Sequence, residues 1–190
     1  ALDAVMDKAE EIGLVVLLHC DVDTLRTGGP RTSHLDDLLV VLAAHPDTTI
    51  VWAHAGLGRF VRPTPDYLQL LEELLSSPRY DHVMLDLAWD EVAKWIVPEE
   101  SIDAWADLIE RHPKRFLFGS DAVAPEAWEG YAKTYVDYEP LWKRLSPATR
   151  ELVLRTNQTR IYDEARPRVR AWERRRLEAA TAPPPPVPGS

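Results

Sequence analysis

Four short apolar runs, each ending in an imidazole or a carboxylate, constrain this chain more than any other feature. Leu14 to Cys20 carries His19 near its end, Ile50 to Ala55 carries His54, and Val83 to Leu87 carries Asp86. The fourth, Arg115 to Ala122, runs through Phe116, Leu117 and Phe118 and then delivers Asp121 after Gly119 and Ser120. His54 lies 35 positions after His19, Asp86 32 after His54, and Asp121 35 after Asp86. That interval is the length of a strand followed by a returning helix in a parallel sheet. The runs are apolar on both faces, as strands covered on two sides must be.

Helical periodicity fills the intervals. Leu2, Val5, Met6 and Ala9 make a stripe before the first run, and Gly13 suits the residue just past a helix end. Thr32 or Ser33 can cap a helix through Leu35, Leu38, Leu39 and Leu42, after a polar loop at Thr27 to Pro30. Helices are also expected from about Pro65 to Leu75 and from Ser101 to Arg111. After Asp121 the pattern predicts short helices at Pro140–Leu145, Pro147–Arg155 and Asn157–Tyr162, then a basic one around Val169–Leu177. The Pro-rich residues Pro183 to Ser190 read as a disordered tail.

Successive βα units with polar residues at the strand ends are the grammar of a (β/α)8 barrel. A doubly wound sheet competes, but no Gly-rich phosphate loop follows any strand. A full barrel takes about 250 residues, so four units are roughly its C-terminal half. The expected organisation is a partial barrel over residues 1–165, a C-terminal helix over 166–180 and a tail over 181–190. Because the sequence opens at Ala1 inside a helix, N-terminal elements preceding it are expected.

Composition narrows the partners. A formal charge of −9 argues against nucleic-acid and anionic-membrane surfaces. The single cysteine, Cys20, cannot form an internal disulfide. No apolar run approaches the roughly 20 residues that span a bilayer, and with no signal visible the cytoplasm is the default compartment.

Two histidines and an aspartate at the mouths of parallel strands would converge however far apart they lie in sequence. Imidazole and carboxylate suit a zinc-like divalent ion with a position left for water. Such an ion lowers the pKa of that water to about 7, and a carboxylate beside it can take and return the proton. Each residue alone also has a structural reading. A strand-end histidine can be a hydrogen-bonded framework residue, Asp121 a helix cap, and Asp86 a buried carboxylate held by backbone donors. His34, His45, His82 and His112 read as framework residues. Trp95, Trp105, Trp128 and Trp142 occupy helix-like positions and read as core.

The set Leu17-Leu18-His19, Val51-Trp52-Ala53-His54-Ala55-Gly56, Leu85-Asp86-Leu87 and Phe118-Gly119-Ser120-Asp121, closed by Asn157-Gln158-Thr159-Arg160-Ile161-Tyr162, resembles the second half of the amidohydrolase-related family. That family is a branch of metal-dependent hydrolases that also includes decarboxylases, and the likeness covers about Ala1 to Tyr162. The resemblance implies His19 as a metal ligand and His54 as a contact to the metal-bound water or the substrate. It implies Asp121 as both ligand and proton shuttle. The cofactor it implies is a divalent metal, zinc foremost. The His-x-His pair that the family places on its first strand is absent from this sequence.

Arg59, Arg62, Trp89 and Asp90 lie just beyond strand ends, where a barrel builds its substrate loops. The leading expectation is therefore a metal-dependent hydrolase in which metal-activated water attacks an amide, ester or similar carbonyl of a small molecule. Asp121 and His54 would be its catalytic residues. A metal-dependent decarboxylase on the same scaffold is the second reading. The third is a non-catalytic barrel remnant acting as an interaction module, its open sheet edges covered by a missing half or by a homo-oligomer.

Overall fold

The computed structural model describes residues 2–22, 33–58, 63–64, 66–123 and 126–181. Helix α1 (Leu2–Ile12) leads through Gly13 into β1 (Val16–Leu18), and α2 (Ser33–Ala44) returns to β2 (Ile50–Trp52). A third helix, α3 (Tyr67–Ser76), precedes β3 (Val83–Asp86), while α4 (Asp90–Ile96) and α5 (Ile102–Arg111) precede β4 (Phe116–Leu117). The four strands form one parallel sheet in the order β1-β2-β3-β4. Register aligns Leu17 with Val51 and Met84, and Leu18 with Trp52, Leu85 and Phe116.

Strand alternation sorts these residues onto two faces. Ile50, Trp52, Val83, Leu85 and Phe116 meet the helices, packing with Leu38 and Leu42 of α2, Leu71 and Leu74 of α3, and Trp105 and Ile109 of α5. Helix α5 shows why this works: Ile102, Trp105, Ala106 and Ile109 recur at three- and four-residue intervals and are all buried. The opposite face is smaller. There Val51, Met84 and Leu117 are covered by Ile161, with Val15 beside them.

Beyond β4 come α6 (Trp128–Asp137), α7 (Glu139–Arg144), α8 (Pro147–Glu151) and α9 (Asn157–Thr181). Ser146 caps α8 by accepting from the Thr149 N–H at 3.2 Å, and Pro147 fills the first turn, where its missing donor costs nothing. A π-type turn over Leu152–Thr156 joins α8 to α9. The separate helices expected at Asn157–Tyr162 and Val169–Leu177 are one helix, continuous through Pro167. Pro167 is exposed, so the carbonyl it cannot bond to faces water rather than the core.

Asn157, wholly buried, starts α9 by donating to Pro113 O and Phe116 O, both at 2.8 Å. Arg160 then donates to Lys114 O at 3.1 Å, and Ile161 enters the small inner cluster. Further along, Arg168 donates to the carbonyls of Asp47 and Glu10 and crosses close over Gly13, where a Cβ would lie 2.4 Å from Arg168 Cβ. Trp172 donates to Glu11 at 2.9 Å. Helix α9 therefore bridges the sheet from β4 to α1.

The architecture is a four-stranded parallel sheet with C-terminal helices, a partial (β/α)8 barrel. Two local expectations are corrected. Helix α6 had no clear periodic signal, and its Trp128 is 72% exposed rather than core. Asp90, expected in a loop, is the first residue of α4. The polar loop around Thr27 to Pro30, and Pro183 to Ser190, lie outside the described residues. Among the described residues no helix is long and apolar enough to cross a membrane.

Candidate functional site at the strand mouths

Parallel strands deliver their C-terminal residues to one end of the sheet, and there the sequence-derived residues meet. His19 follows β1, His54 follows β2, Asp86 ends β3 and Asp121 follows β4. The His19 and His54 rings stand edge to face at 5.1 Å, and the Trp89 ring lies 5.1 Å from His54 on another side. His54 Nε2 is 3.8 Å from Asp121 Oδ2, and His54 Nδ1 is 4.0 Å from Asp86 Oδ2. Trp89, Asp90, Ser120 and Asp121 line a cleft of about 390 Å³, walled on the far side by Gly130 and Thr134 of α6.

Backbone geometry concentrates here as well. Among the described residues, every non-glycine residue with positive φ sits at a strand mouth: His54 (59°) and Ala55 (49°) after β2, Trp89 (89°) after β3, and Asp121 (49°) after β4. Side chains disfavour that region, so packing must hold it. Gly56, at φ 74°, completes the left-handed run after His54. A Cβ there would meet Trp52 Cζ2 at 2.2 Å and Tyr67 Oη at 2.8 Å, so only glycine fits. Tyr67 in turn donates its hydroxyl to Ala55 O, and Trp52 donates to Cys20 O at 2.9 Å.

The polar atoms at this mouth are largely committed to the protein itself. His19 Nε2 pairs with Asp21 Oδ1 at 3.0 Å. His54, 5% exposed, shares a hydrogen bond of 3.1 Å between Nδ1 and Ala88 O; a carbonyl only accepts, so the proton is on Nδ1. Asp86 Oδ1 accepts from the Ala88 N–H at 2.8 Å. Burial pushes the Asp86 carboxyl up to about 6, with the Asp121 charge adding to the rise, against the Ala88 N–H and His54, which lower it.

Asp21 is the member that sequence reasoning missed. The two-residue step from His19 to Asp21 was its signal, and the loop context hid it. Arg59 and Arg62 lie outside the described residues.

The expected metal centre is overturned. Among the described residues no group of three His, Cys, Asp or Glu side chains is placed to hold an ion. His19 turns to Asp21, while His54 presents Nδ1 to a carbonyl, and Asp121 stands with one imidazole nitrogen nearby rather than with a convergent donor set. These residues do not fit the zinc-like ion that the resemblance implies. With it falls the metal-dependent hydrolase reading, in which His19 and Asp121 were ligands, and the zinc cofactor with it. The metal-dependent decarboxylase falls on the same ground.

The remaining histidines have framework partners. His82 donates from Nε2 to Leu42 O at 2.9 Å, and His112 bonds Glu72 at 2.8 Å. The bonds from His112 first and Arg111 second hold the Glu72 carboxyl down at about 2. His45, buried behind α2, faces Asp3, Asp7 and Glu10 of α1 at 3.7 to 4.0 Å.

Residues 1–163 match the family described as Amidohydrolase. Among solved structures, an uncharacterized TIM-barrel protein from Bordetella bronchiseptica is similar with a TM-score of 0.58 at 17% sequence identity. The match covers 86% of this chain and 50% of that one, so the chain spans about half the length of the barrel it resembles. At that identity the likeness speaks for the fold alone. No curated protein matches the chain. Ordered strand-mouth motifs, a parallel sheet with covering helices and the family match over residues 1–163 lead to one conclusion: this chain belongs to the amidohydrolase family.

Proposed function

We propose that the chain works as a half-barrel interaction module, and not as a self-contained catalyst. The observation that carries this reading is the mouth itself: His19 is held by Asp21 and His54 by Ala88 O, and among the described residues no three His, Cys, Asp or Glu side chains converge on one point. Among the described residues β1 and β4 each pair on one side. Leu17 of β1 is 67% exposed although it shares a face with buried Val51 and Met84. An apolar edge strand of this kind is a template for another strand. Supplying the strands that close the barrel is the task of a complementary βα half. The mouth residues His19, His54, Asp86 and Asp121, with Trp89 and Asp90, then serve to fix the strand ends that the partner meets.

Zinc retention tests this. Full-length chain is dialysed against zinc, desalted and submitted to elemental analysis. The expected result is far less than one zinc per chain. One zinc per chain, lost on Asp121→Asn, would overturn the module reading.

A further inference from the structure

We propose that the outer face of α9 is a docking surface for an acidic, partly apolar segment of a partner protein. Residues 166–177 hold six arginines and one glutamate, a charge of +5, so the rest of this −9 chain carries −14. The arginines divide by face. Arg168 donates to the carbonyls of Asp47 and Glu10, and Arg176 lies over the Trp172 ring at 5.6 Å, so these two serve the body of the protein. Arg166, Arg170 and Arg174 recur every four residues along another side of the helix and are exposed, with Leu177 next in the same row at 66%. That row runs roughly 16 Å at 1.5 Å per helical residue.

Among the described residues Trp172, donating to Glu11, is the last of α9 to bond the body, and residues 174–181 are all exposed. Helix persists there because Arg, Leu, Glu and Ala are strong helix formers, not because anything packs on it. Arg166 pairs with Asp163 at 3.2 Å and Arg170 with Glu173 at 2.6 Å, exposed pairs of a kind that contributes little. A guanidinium has five donors, so each can take a second carboxylate from outside in the same planar geometry.

Charge decides what fits. Nucleic acid and anionic membrane carry their charge far beyond the length of the row and would run from it onto a body of −14. A short run of Asp and Glu ends where the row ends. Carboxylates one helical turn apart on such a segment meet Arg166, Arg170 and Arg174 in succession, and an apolar side chain at its end covers Leu177. This surface lies away from the mouth, so the proposal goes beyond the module reading and does not depend on whether the mouth takes zinc.

Fluorescence anisotropy of a labelled glutamate–leucine peptide, titrated with the full chain, tests this. Wild type should bind at low salt and release the peptide as sodium chloride rises. Arg170→Gln together with Arg174→Gln should weaken binding at least about tenfold, and Leu177→Ser about threefold or more. Gln is a good helix former and all three positions are exposed, so α9 persists, which circular dichroism checks. Arg155→Gln, in the turn before α9, should leave binding unchanged. No binding by wild type, or binding indifferent to the arginine pair or to Leu177→Ser, overturns the proposal. Tighter binding of a single-stranded oligonucleotide or of phosphatidylserine vesicles than of the peptide overturns it too, and assigns the row to phosphate chemistry. Zinc content reports on the mouth alone, so the two outcomes are read apart.

Discussion

Asp86 is the residue whose surroundings most oppose its charge. Burial holds its carboxyl at about 6 against an ordinary 3.8. The native state therefore binds a proton more readily than the unfolded chain across that window. Above about 6 the full cost of the buried charge is present; it is relieved as the pH falls towards 4 and is gone below the unfolded value. Asp86→Asn keeps an oxygen to accept from Ala88 N–H and removes the ionisation. Urea unfolding near neutral pH should show the variant more stable by roughly 3 kcal/mol, and its stability should be flatter between about pH 4 and 6 than that of wild type. Identical slopes for the two proteins would remove burial as the cause.

Helix α9 carries the clearest consequence among the elements. Its Ile161, 2% exposed, is what covers the inner face of β2, β3 and β4. Ile161→Ala should lower stability by about 2–4 kcal/mol, since the rigid sheet beneath cannot collapse into the gap. Thermal or urea unfolding measures this, and a loss below 1 kcal/mol would mean that the helix lifts away at little cost. The motif from Asn157 to Tyr162 was visible in the sequence as a family signature, but its work was not. Asn157 pins β4, Arg160 reaches Lys114 O, and Ile161 fills the barrel floor.

Elements with a buried stripe, such as α3 and α5, were legible because burial imposes their period. Helix α6 was not, because its large residues Trp128 and Val136 face outward and follow no core-facing rhythm. At the mouth, the residue types could be read from strand-end position. Which nitrogen of His54 faces a carbonyl, and that Asp21 captures His19, depend on χ angles and on left-handed backbone that no spacing encodes.

At the scale of the whole molecule, the formal charge of −9 works against self-association. The repulsion reaches over distances that salt shortens to about 8–10 Å near physiological strength. Raising sodium chloride from low to moderate concentration should therefore lower the second virial coefficient read by light scattering. A coefficient indifferent to salt would mean that net charge does not govern how copies meet.

The path of α9 has one more consequence. It is fastened at β4 through Asn157 and at α1 through Arg168 and Trp172, about 16 Å and about 22 Å further along at 1.5 Å per helical residue. An arch whose feet are joined by a rigid tie-rod can neither splay nor pinch. The spacing between β4 and α1, and with it the curvature of the sheet, is thus set by a single helix length.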